Sequence, residues 1–586
     1  MAEYQLGRLI AQPLSGVDAH ISAFCIAFGD LRKTFDSRLT LNTAIVLSQS
    51  AVTIGNFRAY LLYLNCKEFA NNLPTGRDQL LSNLKPVEMT EYKRTGCLPN
   101  TRSAVISSVI DWITDESSVR QKVFWLHGLA GSGKSTISTT IALMLRDLHR
   151  LGAFFFFDRG ILERNAATLI RTLAYQLALS DARIGDAISR IVENTPRIAE
   201  MPLDFQITSL LSAKALELVE WSGPPIVLVI DALDECGGSK HLQLLLPALS
   251  EGFSDLPSFI RVLMVSRPDT DIRDTFSAHE AVYPYHLTID SVATQQDISA
   301  FLRHGFRKIR RKNQHLCIDW PGDDNISALT NSADGLFVWA STACLYIDGY
   351  DPDKRLRELI THQSEINSSD PFAQLDQLYK TGLQSAGCWD DLLFRSDCCN
   401  TLGIILCAGT PLSHSIIDIF LDLPPNRACL QIIFYLGCVL RITESERIRI
   451  LHPSFHDYLT KRCSVEPWSI DLKFHNKEFA LRCIKLLDKE LRENICDMTL
   501  PHFTQIKPLP DAISYACKFW TEHICLISDA ADYIVNQIYD FLGKHLLHWM
   551  EALALLKSHD YTIRSLQNLI EWLRVCRLIY ALDAWH

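Results

Sequence analysis

The stretch from Val123 to Thr136 constrains this chain more than any other. An apolar run, Val123-Phe124-Trp125-Leu126, leads through His127 into Gly128-Leu129-Ala130-Gly131-Ser132-Gly133-Lys134-Ser135-Thr136. This fits the phosphate-loop pattern G-x-x-x-x-G-K-[ST], with a strand before it and a helix start after it. Each residue type has a reason. Gly128, Gly131 and Gly133 let the backbone curl close to an anion without a Cβ clash. Loop N–H groups, including those of Ser132 and Thr136, and the helix N-terminus can hold phosphate oxygens. Lys134 can reach the β- and γ-phosphates, and the Ser135 hydroxyl can ligate Mg²⁺. The following helix carries Ile137, Ile141, Met144 and Leu148 at core-facing spacing.

A chain with this loop needs an open parallel sheet around it, and the sequence supplies the strands. Leu151-Gly152-Ala153-Phe154-Phe155-Phe156-Phe157 is a continuous apolar run, as expected for a strand buried on both faces. Pro225-Ile226-Val227-Leu228-Val229-Ile230-Asp231 is a second, closed by a carboxylate. An aspartate at such a strand end lies beside the phosphate loop and can hold Mg²⁺ through water, as a Walker B residue does. Asp234 and Glu235 follow as candidates to orient or deprotonate a water. Arg261 to Pro268 reads as another strand whose end, at Arg267, lies on the same sheet edge and is placed to sense a γ-phosphate. Tyr283 to Thr288 completes the sheet. Helical stretches are expected around 165–180, 183–194 and 207–221. Strands alternating with helices predict an α/β P-loop NTPase core, a parallel sheet with helices on both faces.

Bulk properties bound the rest. The chain has 586 residues, room for about four domains. A net charge of −10 is modest at this length and argues against nucleic acid as the main partner. The basic run Arg307 to Lys312, with Ile309 inside it, ends a predicted helix, where cations suit the dipole. The 18 cysteines include no C-x-x-C pair, and the N-terminus has no secretion signal, so a reduced cytoplasmic setting is expected. Leu39 to Phe57 lacks charge but holds Asn42, Gln49 and Asn56, which favours a soluble helix pair over a membrane span.

Outside the core the chain reads as mostly α. Residues 1–90 form an N-terminal helical domain, a candidate effector, with apolar spacing at Ile21, Phe24, Phe28 and Leu31 and with a linker from Asn72 to Lys93. Residues 91–290 form the nucleotide-binding domain, entered by Cys97 to Trp112 with Val105, Val109 and Trp112 on one helix side. Residues 291–370 form a helical domain containing the turn Gly335-Leu336-Phe337. Residues 371–465 read as a winged helix, with a hairpin from Cys438 to Leu451 followed by His452-Pro453-Ser454-Phe455-His456-Asp457. Residues 466–586 are again helical.

These pieces together resemble the NACHT-domain proteins of the STAND class of signalling P-loop NTPases, in particular the fungal NLR-like receptors. The resemblance covers roughly 95–586 and rests on the phosphate loop, Ile226 to Glu235, Val265 to Pro268, the Gly335 to Ala340 turn and His452 to Phe455. It implies that Lys134 and Ser135 serve phosphate and Mg²⁺, that Asp231 is the Walker B carboxylate, that Asp234 and Glu235 are the distal acids, and that Arg267 is the sensor. It further implies that His452 contacts the β-phosphate of bound ADP in a closed state. Two departures stand out. Phe337 occupies a position that is often proline in relatives, at the turn over the base. The ligand-sensing repeats common in fungal members are not found before His586, so a shortened receptor, a gene fragment or a form that works with a separate sensor protein is expected.

The function expected is a nucleotide switch. ATP or GTP is bound and slowly hydrolysed, ADP holds a closed form, and exchange releases homo-oligomerisation and a downstream effector in nonself recognition or programmed cell death. A scaffold that binds nucleotide without turnover is the alternative, against which the intact Lys134, Asp231 and Glu235 speak. A nucleotide kinase would need a second substrate site and a lid that the later regions do not visibly supply.

Overall fold

Five apolar runs form one parallel sheet: β1 (Val123–His127), β2 (Leu151–Phe156), β3 (Ile226–Asp231), β4 (Ile260–Ser266) and β5 (Val282–His286), in the order β2-β3-β4-β1-β5. The computed structural model describes residues 76–89, 94–115, 121–161, 163–237, 239–363, 370–496, 508–527, 532–556 and 565–574. The expected helices before residue 76, including the Leu39–Phe57 pair, lie outside the described residues.

β1 to β4 are almost wholly apolar because both sheet faces are covered there, whereas the edge strand β5 is largely exposed. Side chains alternate across a strand. Phe124, Leu126, Val227, Val229, Leu263 and Val265 join one core with Val109 and Ile141. Val123, Trp125, Phe155, Leu228, Ile230 and Met264 join the other, with Leu173 and Leu177. Leu81 and Leu84 belong to this second core, so part of the stretch expected to be a linker, the helix Gly76–Ser82, packs into the sheet domain. The phosphate-loop helix, Lys134–Asp147, buries Ile137, Ile141 and Leu145, whereas Met144 and Leu148 are exposed. The buried row follows i, i+4 spacing and passes Met144 and Leu148 by. The helix expected over 207–221 is shorter, Leu203–Leu210. Just past it, Ser212 Oγ donates to Thr208 O (2.6 Å) and accepts from Ala215 N–H (3.0 Å), local bonds that compete with helix continuation.

The chain divides into two compact units. One comprises Pro74–His414 and Pro425–Ile470; the other includes Ser415–Pro424 and Asp471–His586. In the first, the sheet is followed by helices Val292–Lys312, Asp323–Ala333, Phe337–Ile347 and Pro352–Gln363. The basic run does end the first of these, and Lys312 pairs with Asp348. Later come helices Ala373–Ser385 and Leu392–Cys407, the antiparallel hairpin β6 (Leu440–Ile442) and β7 (Ile448–Ile450), and the short helix Pro453–Asp457. The second unit packs helices Leu472–Glu490, Asp511–Cys525 and Asp532–Leu555. Its aromatics fill the core, with Phe479 stacked on Tyr515, and the buried His523 bridges Tyr515 and Asn476. Among the described residues no helix is long and apolar enough to cross a membrane.

Candidate functional site

The strand order sets the site. β4 lies between the phosphate-loop strand β1 and the carboxylate strand β3. Since all run parallel, Gly128, Asp231 and Arg267 emerge along one edge, with the residue following β4 between the other two.

The phosphate loop has the backbone that its glycines allow. Gly131 and Gly133 sit at φ +81° and +92°, the left-handed region. A Cβ at Gly131 would also meet Val338 Cγ1 at 2.2 Å. Ser132 is buried, with its hydroxyl donating to Leu129 O (2.9 Å). Thr136 lies in the first helical turn, its N–H on Gly133 O (3.2 Å). The Lys134 ammonium donates to Gly128 O and Leu129 O, both at 2.8 Å, so it lies back along its own loop. Burial drives its pKa down to about 8, against the opposing pull of Asp234.

Asp231 is fully buried at the end of β3, and Ser135 Oγ donates to its Oδ1 at 3.1 Å. Ala232 then turns the chain through a left-handed conformation, φ +58°, into the 3₁₀ turn Leu233–Glu235. Asp234 is tied to Arg267: its Oδ1 accepts the Arg267 backbone N–H (2.9 Å) and its Oδ2 pairs with Nε (3.0 Å). It thus orients the arginine with one contact on each carboxylate oxygen. Burial and the charge of Asp234 raise the Glu235 carboxyl well above its usual range.

Three later elements close over this edge. The helix Phe337–Ile347 docks on the loop, with Val338 N–H donating to Gly131 O (3.1 Å). The Phe337 ring lies against Gly133, and the Arg102 guanidinium sits 4.5 Å from its centroid. Arg102 also donates to Ser132 O (2.7 Å) and Thr294 Oγ1 (3.0 Å). His452 comes next: a Cβ at Gly131 would lie 3.8 Å from its Cε1. Its Nδ1 accepts the Ser454 backbone N–H (3.1 Å) and lies 2.7 Å from Ser454 Oγ, which is 2.7 Å from the Tyr379 hydroxyl. With Nδ1 accepting, the neutral ring carries its proton on Nε2, and we assign that tautomer. Last, Asp457 pairs with Arg267 (2.7 Å) and Arg159 (3.3 Å), while Arg449 on β7 pairs with Asp158 (2.9 Å).

The structure therefore brings Lys134, Ser135, Asp231, Asp234, Arg267 and His452 to one edge. Sequence reasoning missed Asp457, Arg102 and the Tyr379–Ser454–His452 chain. The signal for Asp457 was at hand, since it closes the short helix that His452 caps.

Burial, together with the nearby Arg267 and Lys134 charges, pushes His452 down to about 3 from 6.5. Its contribution to stability is intact above pH 6.5 and is lost as the pH falls toward 3. Between pH 7 and 5 the loss is about 2 kcal/mol. Thermal melts over that window should fall more steeply in wild type than in His452→Gln; equal slopes would show that the ring is not held neutral.

The residues fit a magnesium–nucleotide site. A hydroxyl and a carboxylate in contact are the hard oxygen donors that Mg²⁺ takes alongside water and phosphate. Among the described residues no group of three or more metal-ligating side chains forms a separate metal site.

The chain is similar to a protein family, a curated protein and a solved structure. A family model for the N-terminal region of nephrocystin 3 matches residues 103–267, from the entry helix to Arg267. The vegetative incompatibility protein HET-E-1 of Podospora anserina is 23% identical over 495 residues, covering 77% of this chain. The chain spans about a third of that relative's length, 34%. A crystal structure of a STAND-class signal transduction ATPase with a tetratricopeptide-repeat sensor, from Pyrococcus horikoshii, aligns with 84% of this chain and 58% of its own. It does so at 13% identity and a TM-score of 0.39.

Proposed function

We propose that the chain is a NACHT-type P-loop NTPase of the STAND class and that it acts as a nucleotide-dependent switch in fungal signalling. The carrying observation is the contact of one strand-end arginine, Arg267, with both the distal acid Asp234 and the later element's Asp457. The residue that would read a γ-phosphate in this reading is held by the segment that also carries His452.

In this reading the arrangement is the closed, ADP-type state. Lys134 would turn from the loop carbonyls to the phosphates. His452 would offer Nε2–H to a β-phosphate, with Ser454 and Tyr379 fixing its ring. Ser135 and Asp231 would hold Mg²⁺, which would neutralise phosphate charge. Phe337, stacked by Arg102, would border the base in place of the proline of relatives. The base is adenine by family likeness, with guanine the alternative. A γ-phosphate would compete with Asp457 for Arg267, freeing the hairpin and the short helix after it. The nucleotide shifts the balance only by its unequal affinity for the two states. Because Asp234 is engaged with Arg267, turnover in this state would be slow, and hydrolysis serves to reset the switch.

Opening would permit homo-oligomerisation and transmission to an effector, in residues 1–90 or a separate protein. The winged-helix role of the hairpin region, the domain limits at 90, 290, 370 and 465, and a cytoplasmic setting belong to the same proposal. The name of the Podospora relative supports a place in nonself recognition.

The test is the nucleotide content of the purified chain. Denaturation should release about one equivalent of ADP, identified by chromatography. An empty protein that also fails to bind added ATP, ADP or GTP would overturn the switch.

A further inference from the structure

Asp231, the carboxylate that the proposed reading gives to the metal, is already matched by a cation of the chain itself. While Oδ1 accepts from Ser135, Oδ2 pairs with Arg94 at 2.8 Å. Arg94 is held from a second side by aromatic faces on β2, the strand beside β3. Its guanidinium lies 4.5 Å from the Phe156 centroid and 5.8 Å from that of Phe154. Phe156 also carries Arg164 at 4.2 Å. Asp231 is fully buried, whereas the Arg94 side chain is 27% exposed and has a path to solvent.

A buried carboxylate needs a compensating charge close by. Arg94 supplies it in this arrangement, and a divalent ion held by Ser135 and Asp231 would supply it instead. With both present, two like charges would meet at one carboxylate in a low-dielectric setting. We propose that Arg94 is a tethered counter-cation that competes with Mg²⁺ for Asp231. This rests on the reading of Asp231 and Ser135 as metal ligands. By linkage, whatever strengthens the Arg94 pair weakens the metal, and the reverse. Arg94 lies between the helix Gly76–Ser82 and Arg102, within the same compact unit as the sheet. Arg94 acts through Asp231 as a positioning residue and takes no part in chemistry.

The experiment titrates Mn²⁺ into the full chain, stripped of metal and supplied with equimolar ADP, and follows free Mn²⁺ by electron paramagnetic resonance. Wild type is compared with Arg94→Ala, Arg94→Gln, Arg94→Lys and Asp231→Asn. The two neutral variants should bind Mn²⁺ about tenfold more tightly, within the usual range for coupled binding events. Arg94→Lys should stay near wild type, and Asp231→Asn should lose the tight class. A folding defect would weaken metal binding, so a gain is specific to released competition. Unchanged or weaker binding in both neutral variants, with Asp231→Asn still impaired, overturns the competition and leaves the metal reading standing. Tight binding that survives Asp231→Asn overturns both.

Discussion

Lys134→Ala is expected to lower ADP and ATP affinity by at least about a hundredfold, roughly 3 kcal/mol, the upper range for a charge-assisted hydrogen bond to phosphate. Folding stability should change by less than about 1 kcal/mol, because two opposing effects accompany the loss. Gly128 O and Leu129 O each lose a donor at 2.8 Å, but a buried cation is removed with them. The Lys134 pKa adds a second signature. It stands at about 8 here against 10.5 ordinarily, burial being the main cause. Phosphate binding requires the charged form, so nucleotide affinity should hold below pH 8 and fall as the pH rises beyond it. Isothermal titration of ADP from pH 7 to 9.5 reads this directly, and Lys134→Ala should be flat over the same range. An alanine variant that keeps wild-type affinity would mean that the loop does not bind phosphate.

That prediction draws on what was plainest in the sequence. Chemistry and burial coincide at the loop and the strand ends: Gly131 and Gly133 need a left-handed backbone, and β3 is apolar up to a single Asp231. Buried runs such as Ala153 to Phe157 admit few readings once a phosphate loop is present. The hairpin at β6 and β7 was legible from its alternation around Glu444-Ser445-Glu446. Reading failed where local bonds or helical phase decide. Leu145 rather than Met144 faces the core because of where the helix rotates, and Ser212 ends a helical stretch through bonds to Thr208 and Ala215.

Contacts between distant segments were the least legible. Arg94 lies at the edge of a stretch rich in charge, and nothing around it announces a partner far along the chain at Asp231. The bonds of Asp234 to Arg267 were not legible because they depend on the order of β3 and β4 in the sheet. Single ion pairs of this kind have no periodicity to reveal them. They become visible only when topology brings strand ends and the later short helix together.

The ion pairs of Asp457 carry the second large effect. Asp457→Ala should shift the chain toward the open, self-associating form even in saturating ADP. The carboxylate is 6% exposed and faces Arg267, Arg159 and Lys461 at 2.7, 3.3 and 3.6 Å. Burial alone would raise its pKa, but the hydrogen bond and charge of Arg267, with Arg159, outweigh burial and hold it at about 2. Its stabilisation is thus complete above its ordinary value of 3.8 and is lost only as the pH falls toward 2, so this latch does not titrate where His452 does. Removing one partner of a buried pair costs about 3–5 kcal/mol, and the partial exposure of Arg159 places this case near the lower figure. A shift of about 3 kcal/mol changes a two-state balance by roughly a hundredfold. Sedimentation velocity in ADP should therefore show a higher-mass species in the variant and a monomer in wild type. Arg267→Ala combined with Asp457→Ala should shift the balance by less than the sum of the two single changes, because the Arg267–Asp457 contact is common to both, while Asp457 also loses Arg159 and Arg267 also loses Asp234. A variant that sediments as wild type, with the same protease resistance between β7 and the helix at Pro453, would show that the closed form does not depend on this pair. Control would then rest with His452 and the loop contact of Val338.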